Sequence, residues 1–354
     1  MTQRPTAPVD AETREPEPTA RVGAEQASPR PPAHGIPAER PPFSARGMLE
    51  RSIMPATIVA AGLIFAMLLP GRFLTSGNVG SMLSSEAVPL ILAVAVVLPL
   101  RCNQFDLSIA QIMVLSGAIT GVLTVNYGWD VGPAIAVALL AGVAARAINA
   151  TLCVLFGLNS FVVTLGTSSA LGGITYAITA SASIQPMPAP LVTLATKDVL
   201  GQPLLVWLAW IIAAAVWFVL EFTPYGRYLL FVGGSRNTAE LIGLRTRWLA
   251  ISTYIGAALL AAFAGILLAG SLDTVNPTIG NEFLLTPYAA AFLGAAAIQI
   301  GRFNVIGTLL AVYLLAIGQT GLIMLGAPDW VSSVFEGVIL IAAIGFSRLV
   351  RARS

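Results

Sequence analysis

Charge is what this sequence has least of. Asp, Glu, Lys and Arg make up 10% of its 354 residues, against roughly a quarter in soluble domains. Lysine and histidine occur once each, as Lys197 and His34. Lys197 is not in a Gly-Lys-Ser/Thr tripeptide, so the phosphate-cradling loop of nucleotide hydrolases is absent. The chain therefore does not hydrolyse ATP through such a loop of its own. Two cysteines, Cys102 and Cys153, fall in or beside apolar segments. They read as small buried hydrophobes and form no metal-ligand spacing or disulfide framework. Short alternating strands are missing, which excludes a membrane β-barrel. A chain of Asp, His and Lys suited to proton relay is missing too.

What fills the sequence is aliphatic. Apolar residues reach 56%, and mean hydropathy is +0.82. A helix needs about 20 mostly apolar residues to cross a bilayer, and the chain offers many such windows. The fold class is all-α: a polytopic membrane protein of about ten transmembrane helices, with eight to ten as the range. The expected spans are 52–70, 87–102, 106–126, 131–156, 160–180, 204–222, 248–272, 286–300, 304–325 and 331–347. Residues 1–46, rich in Pro, Ala, Glu and Arg, cannot bury enough surface to fold and are expected to be a disordered tail. They carry no apolar core ahead of a cleavage site and do not read as a secretory signal. The membrane domain then runs over 47–347, and 348–354 form a short basic tail.

Arginine placement orients the spans. With the N-terminus in the cytoplasm and ten crossings, Arg101, Arg227, Arg236, Arg245, Arg247, Arg302, Arg348, Arg351 and Arg353 all fall inside. Only Arg72 and Lys197 fall outside, with Glu86, Asp130, Asp198, Asp273, Glu282 and Asp329. An even span count keeps both termini cytoplasmic. NQFDLS (103–108) echoes NEFLLT (281–286), and VLSGA (114–118) faces FLGAA (292–296) at the same offset. These segments open the third span of each half, so two inverted five-helix halves are expected, some helices being short or broken.

Three stretches carry the chemistry. NQFDLS places Asp106 between two oily runs. It either caps a helix, its oxygen meeting free amides, or borders a water-filled path, since acids in membranes seldom face lipid. A cap accounts for Asp106 first, leaving Asn103, Gln104 and Gln111 for solute contact beside Ser108. NSFVVTLGTSSALGGITYAITA (159–180) is a small-residue face suited to close helix packing. Its hydroxyls, Thr164 and Thr167 among them, also suit a neutral solute that needs many uncharged hydrogen bonds. In the loop over 223–247, Pro224 and Gly226 end the sixth span and Gly233–Gly234 make a turn. Asn237 or Thr238 then caps a short helix, NTAELIGL, ending near Gly243. That helix shows Leu241, Ile242 and Leu244, ringed by Arg236, Glu240, Arg245 and Arg247. It reads as a knob for a partner's groove or as a helix lying on lipid headgroups. Arg146 is expected to snorkel to the nearer surface. Glu336 is either a buried, hydrogen-bonded acid or a coupling group. The loops 181–203 and 273–283, the second carrying Asn276, either receive a delivery protein or are ordinary solvated loops.

FDLSIAQIMVLSGAITG, GLNSFVVTLGT, TPYGRYLLFVGGSRNTAELIGLRT and the closing run from Phe303 to Phe346, in this order and spacing, resemble the membrane permease subunits of ribose-type ABC importers. Those subunits belong to a wider binding-protein-dependent permease family. The resemblance covers about 50 to 350. It implies a dimeric permease core, formed with a second copy or a paralogue. It also implies ATPase domains on the cytoplasmic side, an extracytoplasmic solute-binding protein and a coupling helix at 235–245. ATP and Mg would be used by the ATPase, so no cofactor is expected in this chain. Membrane lipid surrounds it, and no nucleic-acid partner is expected. The location implied is a bacterial cytoplasmic membrane. Asn103-Gln104 stands where such permeases carry Gly-Gly, and GAAAIQIGRFNVIGT replaces a Gly-rich loop. Both departures bear on the substrate, not the architecture. The path would be lined by Asn103, Gln104, Asp106, Ser108, Gln111, Thr164, Thr167 and Asn276. Arg236, Asn237, Thr238, Glu240, Leu241, Ile242 and Arg245 would couple to the ATPase. The competing reading is a stand-alone secondary transporter or facilitator of a small polar solute, which would want intramembrane acids or an ion site. A membrane scaffold is a weaker third.

Overall fold

The computed structural model describes residues 45–299 and 301–353. The expected disordered tail lies outside these residues, except for Ala45 and Arg46, which open the first helix. The helices are α1 (Ala45–Leu68), α2 (Ser76–Ser85), α3 (Ala87–Arg101), α4 (Ile109–Gly121), α5 (Val131–Ala150), α6 (Ser160–Ile178) and α7 (Ala189–Thr196), followed after a small hairpin by α8 (Leu204–Phe222), α9 (Pro224–Gly234), α10 (Arg236–Leu241), α11 (Thr246–Leu272), α12 (Glu282–Ala297), α13 (Val305–Met324) and α14 (Asp329–Arg353). Single π-helical turns extend α4 to Asn126 and α5 to Leu155. The hairpin pairs Asp198–Val199 with Gln202–Pro203.

Every expected span contains a helix. Among the described residues six are long and apolar enough to cross a bilayer, and a seventh forms if α2 and α3, bent by 41°, count as one broken span. Met54–Leu68 and Trp330–Gly345 are shorter apolar helices, as is α12, of 16 residues. Length and composition thus qualify six or seven helices as membrane spans. The fuller number depends on these three short helices. The last helix also runs past the expected end at 347, to Arg353.

Burial sorts the helices into a core and a shell. The sequence of α3, AVPLILAVAVVLPLR, is apolar on every side, and all fifteen residues are buried. A helix without a polar face must be surrounded. The α4 span is 72% buried, whereas the α5 and α6 spans are 22% and 17% buried. α11 packs on α3, α4 and α5. Its alanines and glycines allow backbones to approach closely, as in membrane bundles. A Cβ on Gly265 would stand 1.8 Å from the Met113 carbonyl oxygen, so only glycine lets α11 cross α4 there. Gly294 and Gly307 do the same for α12 and α13, a Cβ on Gly294 falling 2.4 Å from the Gly307 carbonyl carbon.

Candidate functional site

The chain breaks between α3 and α4. Asn103 turns it with φ +56, a left-handed conformation that Asn tolerates better than most residues. The break is held from both sides. Arg101, the last residue of α3, is 3% exposed. Its Nε donates to the Phe303 carbonyl and its Nη1 to the Leu220 carbonyl, each at 2.9 Å, and its Nη2 pairs with Glu221. Arg101 is therefore a staple joining α3, α8 and the approach to α13, not a solvated loop cation.

Beyond the break lies a buried polar network. Asp106 is 1% exposed. One carboxylate oxygen accepts from the Ser108 amide at 3.0 Å and the Ser108 hydroxyl at 2.6 Å. The other pairs with Arg146 on α5. The Asp106 amide donates to the Tyr288 hydroxyl at 3.0 Å, which donates in turn to the Asp106 carbonyl at 2.5 Å. Asn149 donates to Ser108 at 2.9 Å and accepts from Thr167 at 2.6 Å. The Leu107 amide donates to Thr164 at 3.1 Å, and the Phe105 amide to Ser160 at 3.2 Å. One short stretch is thereby tied to α5, α6 and α12.

Two expectations are corrected here. Asp106 does not begin the helix: Ser108 is the cap position and Ile109 the first helical residue. Asp106 closes a turn onto the Ser108 amide instead. Nor does Arg146 snorkel. It is wholly buried, with the Tyr254 ring centroid 5.9 Å from its guanidinium carbon, within cation–π range. A guanidinium and a carboxylate this deep hold each other in place, since either alone would be an uncompensated charge. Arg146, Asn149, Tyr254 and Tyr288 went unassigned to this site. The usable signal was one arginine and one acid inside neighbouring apolar runs, which favours pairing.

The other path candidates lie on the break before α4, on α4 and α6, and on the turn before α12. Ser108 and Thr164 are buried within the network, and Thr167 is half-buried. Gln111 is half-buried between α6 and the turn before α12; a Cβ on Gly280 would meet its Nε2 at 2.9 Å, and one on Gly172 its Oε1 at 3.5 Å. Asn276 is exposed near the far end, accepting from the Thr278 amide and hydroxyl, both at 2.9 Å. It borders a cleft of about 20 Å³. Asn103 and Gln104 border a separate cavity of about 280 Å³ at the break, shared with Gly233, Gly234, Arg236 and Thr246. These two cavities are lined by different residues, so neither collects all the candidates.

The loop after α8 forms one unit with the break. Pro224 opens α9 at the first-turn position where its missing N–H costs nothing. A Cβ on Gly226 would fall 1.9 Å from the Leu220 carbonyl oxygen. Gly233 and Gly234 do not make the expected turn. They end α9, and a Cβ on Gly233 would lie 2.0 Å from the Arg101 carbonyl oxygen. The short helix is α10, and its cap is Ser235, whose hydroxyl oxygen accepts from the Thr238 amide at 3.3 Å; neither Asn237 nor Thr238 caps it. Gly243, at φ +82, turns the chain out of it. Thr246 donates to Glu240 at 2.6 Å and Arg236 to the same oxygen at 3.2 Å. These bonds, Thr246 first, hold the Glu240 carboxyl below its usual value. Ala239 faces inward, while Leu241 and Ile242 are 87% and 61% exposed. Asn237, Thr238 and Arg245 are also exposed. These apolar tips stand uncovered on a helix that the Thr246 and Arg236 bonds pin.

Glu336 on α14 accepts from Thr286 at 2.9 Å and from Gln319. It is a hydrogen-bonded acid at the junction of α12, α13 and α14.

Comparison with known proteins agrees with this architecture. The E. coli K12 ribose import permease RbsC is 27% identical over 315 residues, covering 85% of this chain and 94% of that protein. The D-allose transport permease AlsC of the same strain is 28% identical over 298 residues, covering 83% and 90%. The fructose import permease FrcC of Rhizobium meliloti is 28% identical over 311 residues, covering 84% and 85%. None of the solved structures matched the chain. Residues 78–344 match the family described as branched-chain amino acid transport system / permease component, and the chain, a multi-pass membrane protein, belongs to it.

Proposed function

We propose that this chain is the permease subunit of an ATP-binding-cassette importer for a sugar or related neutral polar solute. A separate ATPase energises it with ATP and Mg, and an extracytoplasmic solute-binding protein feeds it. The observation that carries the reading is α10: a short helix with Leu241 and Ile242 outermost, capped by Ser235 and backed through Gly233 onto the end of α3. A push on that helix reaches the α3–α4 break directly. The relatives named above are permeases for ribose, allose and fructose, which supports a sugar as cargo. In this reading the arginine-rich end faces the cytoplasm of a bacterial inner membrane, with both termini there and ten crossings in two inverted halves.

A second copy of the chain is proposed to pack on α6. Its exposed face carries Gly166, Ser169, Ala170, Gly173 and Ala177. Glycines with open space beside them invite another backbone. The cargo would pass beside this face, near Gln111 and Thr167. A stand-alone ion-coupled transporter fits less well, because Asp106 spends its charge on Arg146. Proteoliposomes test the choice. Radiolabelled ribose, allose or fructose should accumulate only when ATPase and binding protein are reconstituted with the chain and ATP is supplied. Accumulation by the chain alone would favour the facilitator.

A further inference from the structure

The two cavities differ in kind. The cleft beside Asn276, at about 20 Å³, has room for one or two waters, each needing ~10–15 Å³ by this measure. The cavity at the break, at about 280 Å³, is far larger than any such hydration site. Its lining is also selective. Asn103 contributes an exposed amide. Gln104 already accepts from the Tyr254 hydroxyl at 3.3 Å, which leaves its amide N–H groups to donate. Arg236 is anchored by one nitrogen to Glu240 and has further N–H groups. Gly233 and Gly234 bring bare backbone to the wall. Carboxylates are absent from the lining residues. Two amides and an ion-paired guanidinium form a donor-rich wall that offers a cation no carboxylate. Amides and guanidinium N–H groups suit hydroxyl oxygens, which both accept and donate.

We propose that this cavity binds the transported neutral polyhydroxylated solute after it has crossed and before it is released. The inference rests on the importer reading above. Its walls are the two parts that reading sets in motion, the break (Asn103, Gln104) and the coupling loop (Gly234, Arg236). Bound solute therefore props the loop apart from the break and delays the next cycle. High solute on the arginine-rich side slows transport.

Gly234→Cys provides a reporter, since nothing lies within 4 Å of a Cβ there. The full chain in nanodiscs is treated with a water-soluble maleimide, and labelling is located by mass spectrometry. The buried Cys102 and Cys153 are read separately. D-ribose, D-allose and D-fructose are each added at millimolar concentration. At least one should slow labelling of the reporter threefold or more, and in the Asn103→Ala, Arg236→Ala background the ratio of the rates with and without that sugar should return to about one, whatever the rate without sugar. Binding of the same radiolabelled sugar to the unmodified chain should weaken tenfold or more in the Asn103→Ala, Arg236→Ala variant, which guards against a reporter that perturbs the loop. Labelling that no sugar slows, or a reporter the reagent never reaches, would overturn the inference even if ATP-driven uptake stands. Protection by sugar together with ATP-independent uptake would leave the site intact and remove the importer reading.

Discussion

Asp106 and Arg146 show what a single residue can and cannot reveal. Asp106 stood out because it interrupts oily sequence, and its contact with a downstream amide could be read from its position. Its main partner could not. Arg146 lies on the next span, and a lone arginine near a helix end looks the same whether it reaches for water or for a buried acid. Only packing of α5 against α4 decides between them. Breaking such a pair strands a buried charge, at a cost of about 3–5 kcal/mol. Arg146→Ala should therefore lower stability by about that much in detergent unfolding. Adding Asp106→Asn should recover much of the loss, because the stranded charge is gone. Equal destabilisation by the single and double variants would mean that the pair contributes packing rather than charge. Asn103 and Gln104 were legible as polar groups at a break, but the cavity they border needs α9 and α11 to complete it.

Elements were the most legible level. Long apolar windows located a helix in every expected span, because lipid or protein must cover such surface and only a helix satisfies its own backbone there. Breaks, caps and close approaches were harder. Gly233–Gly234 reads as a turn in sequence, yet Gly233 is needed because α9 lies on the Arg101 carbonyl, a neighbour far away in the chain. The two adjacent glycines make a controlled comparison. Gly233→Ala must displace backbone and should cost about 1–3 kcal/mol, in the range of overpacking. Gly234→Ala meets open space and should stay within about 0.5 kcal/mol. Thermal unfolding of the two variants side by side reads the difference, and equal values would show that α9 does not bear on the end of α3.

At the scale of the whole molecule, the buried helix α3 ends where Gly233 of α9 packs on its last carbonyl. Arg101 fastens that end to α8 and to the approach to α13, and the polar network past the break fastens α4 to α5, α6 and α12. Under the proposed importer reading, motion entering at α10 would meet a connected body rather than a floppy loop. The composition made a membrane bundle plain, and the ordered motifs made its family plain. The route between α10 and the break was not legible, because it runs through carbonyls and glycine Cα atoms that carry no distinctive side chain. The most direct measurement is ATP-driven sugar uptake in proteoliposomes containing the ATPase and binding protein, comparing the native chain with Glu240→Ala, Leu241→Ala and Arg245→Ala combined. These three positions are exposed, so the membrane bundle should fold and insert, with thermal unfolding checking that losing the Glu240 bonds to Thr246 and Arg236 leaves it intact, while uptake falls at least tenfold. Uptake that persists at the native rate in the folded triple variant would contradict the claim that α10 receives the force.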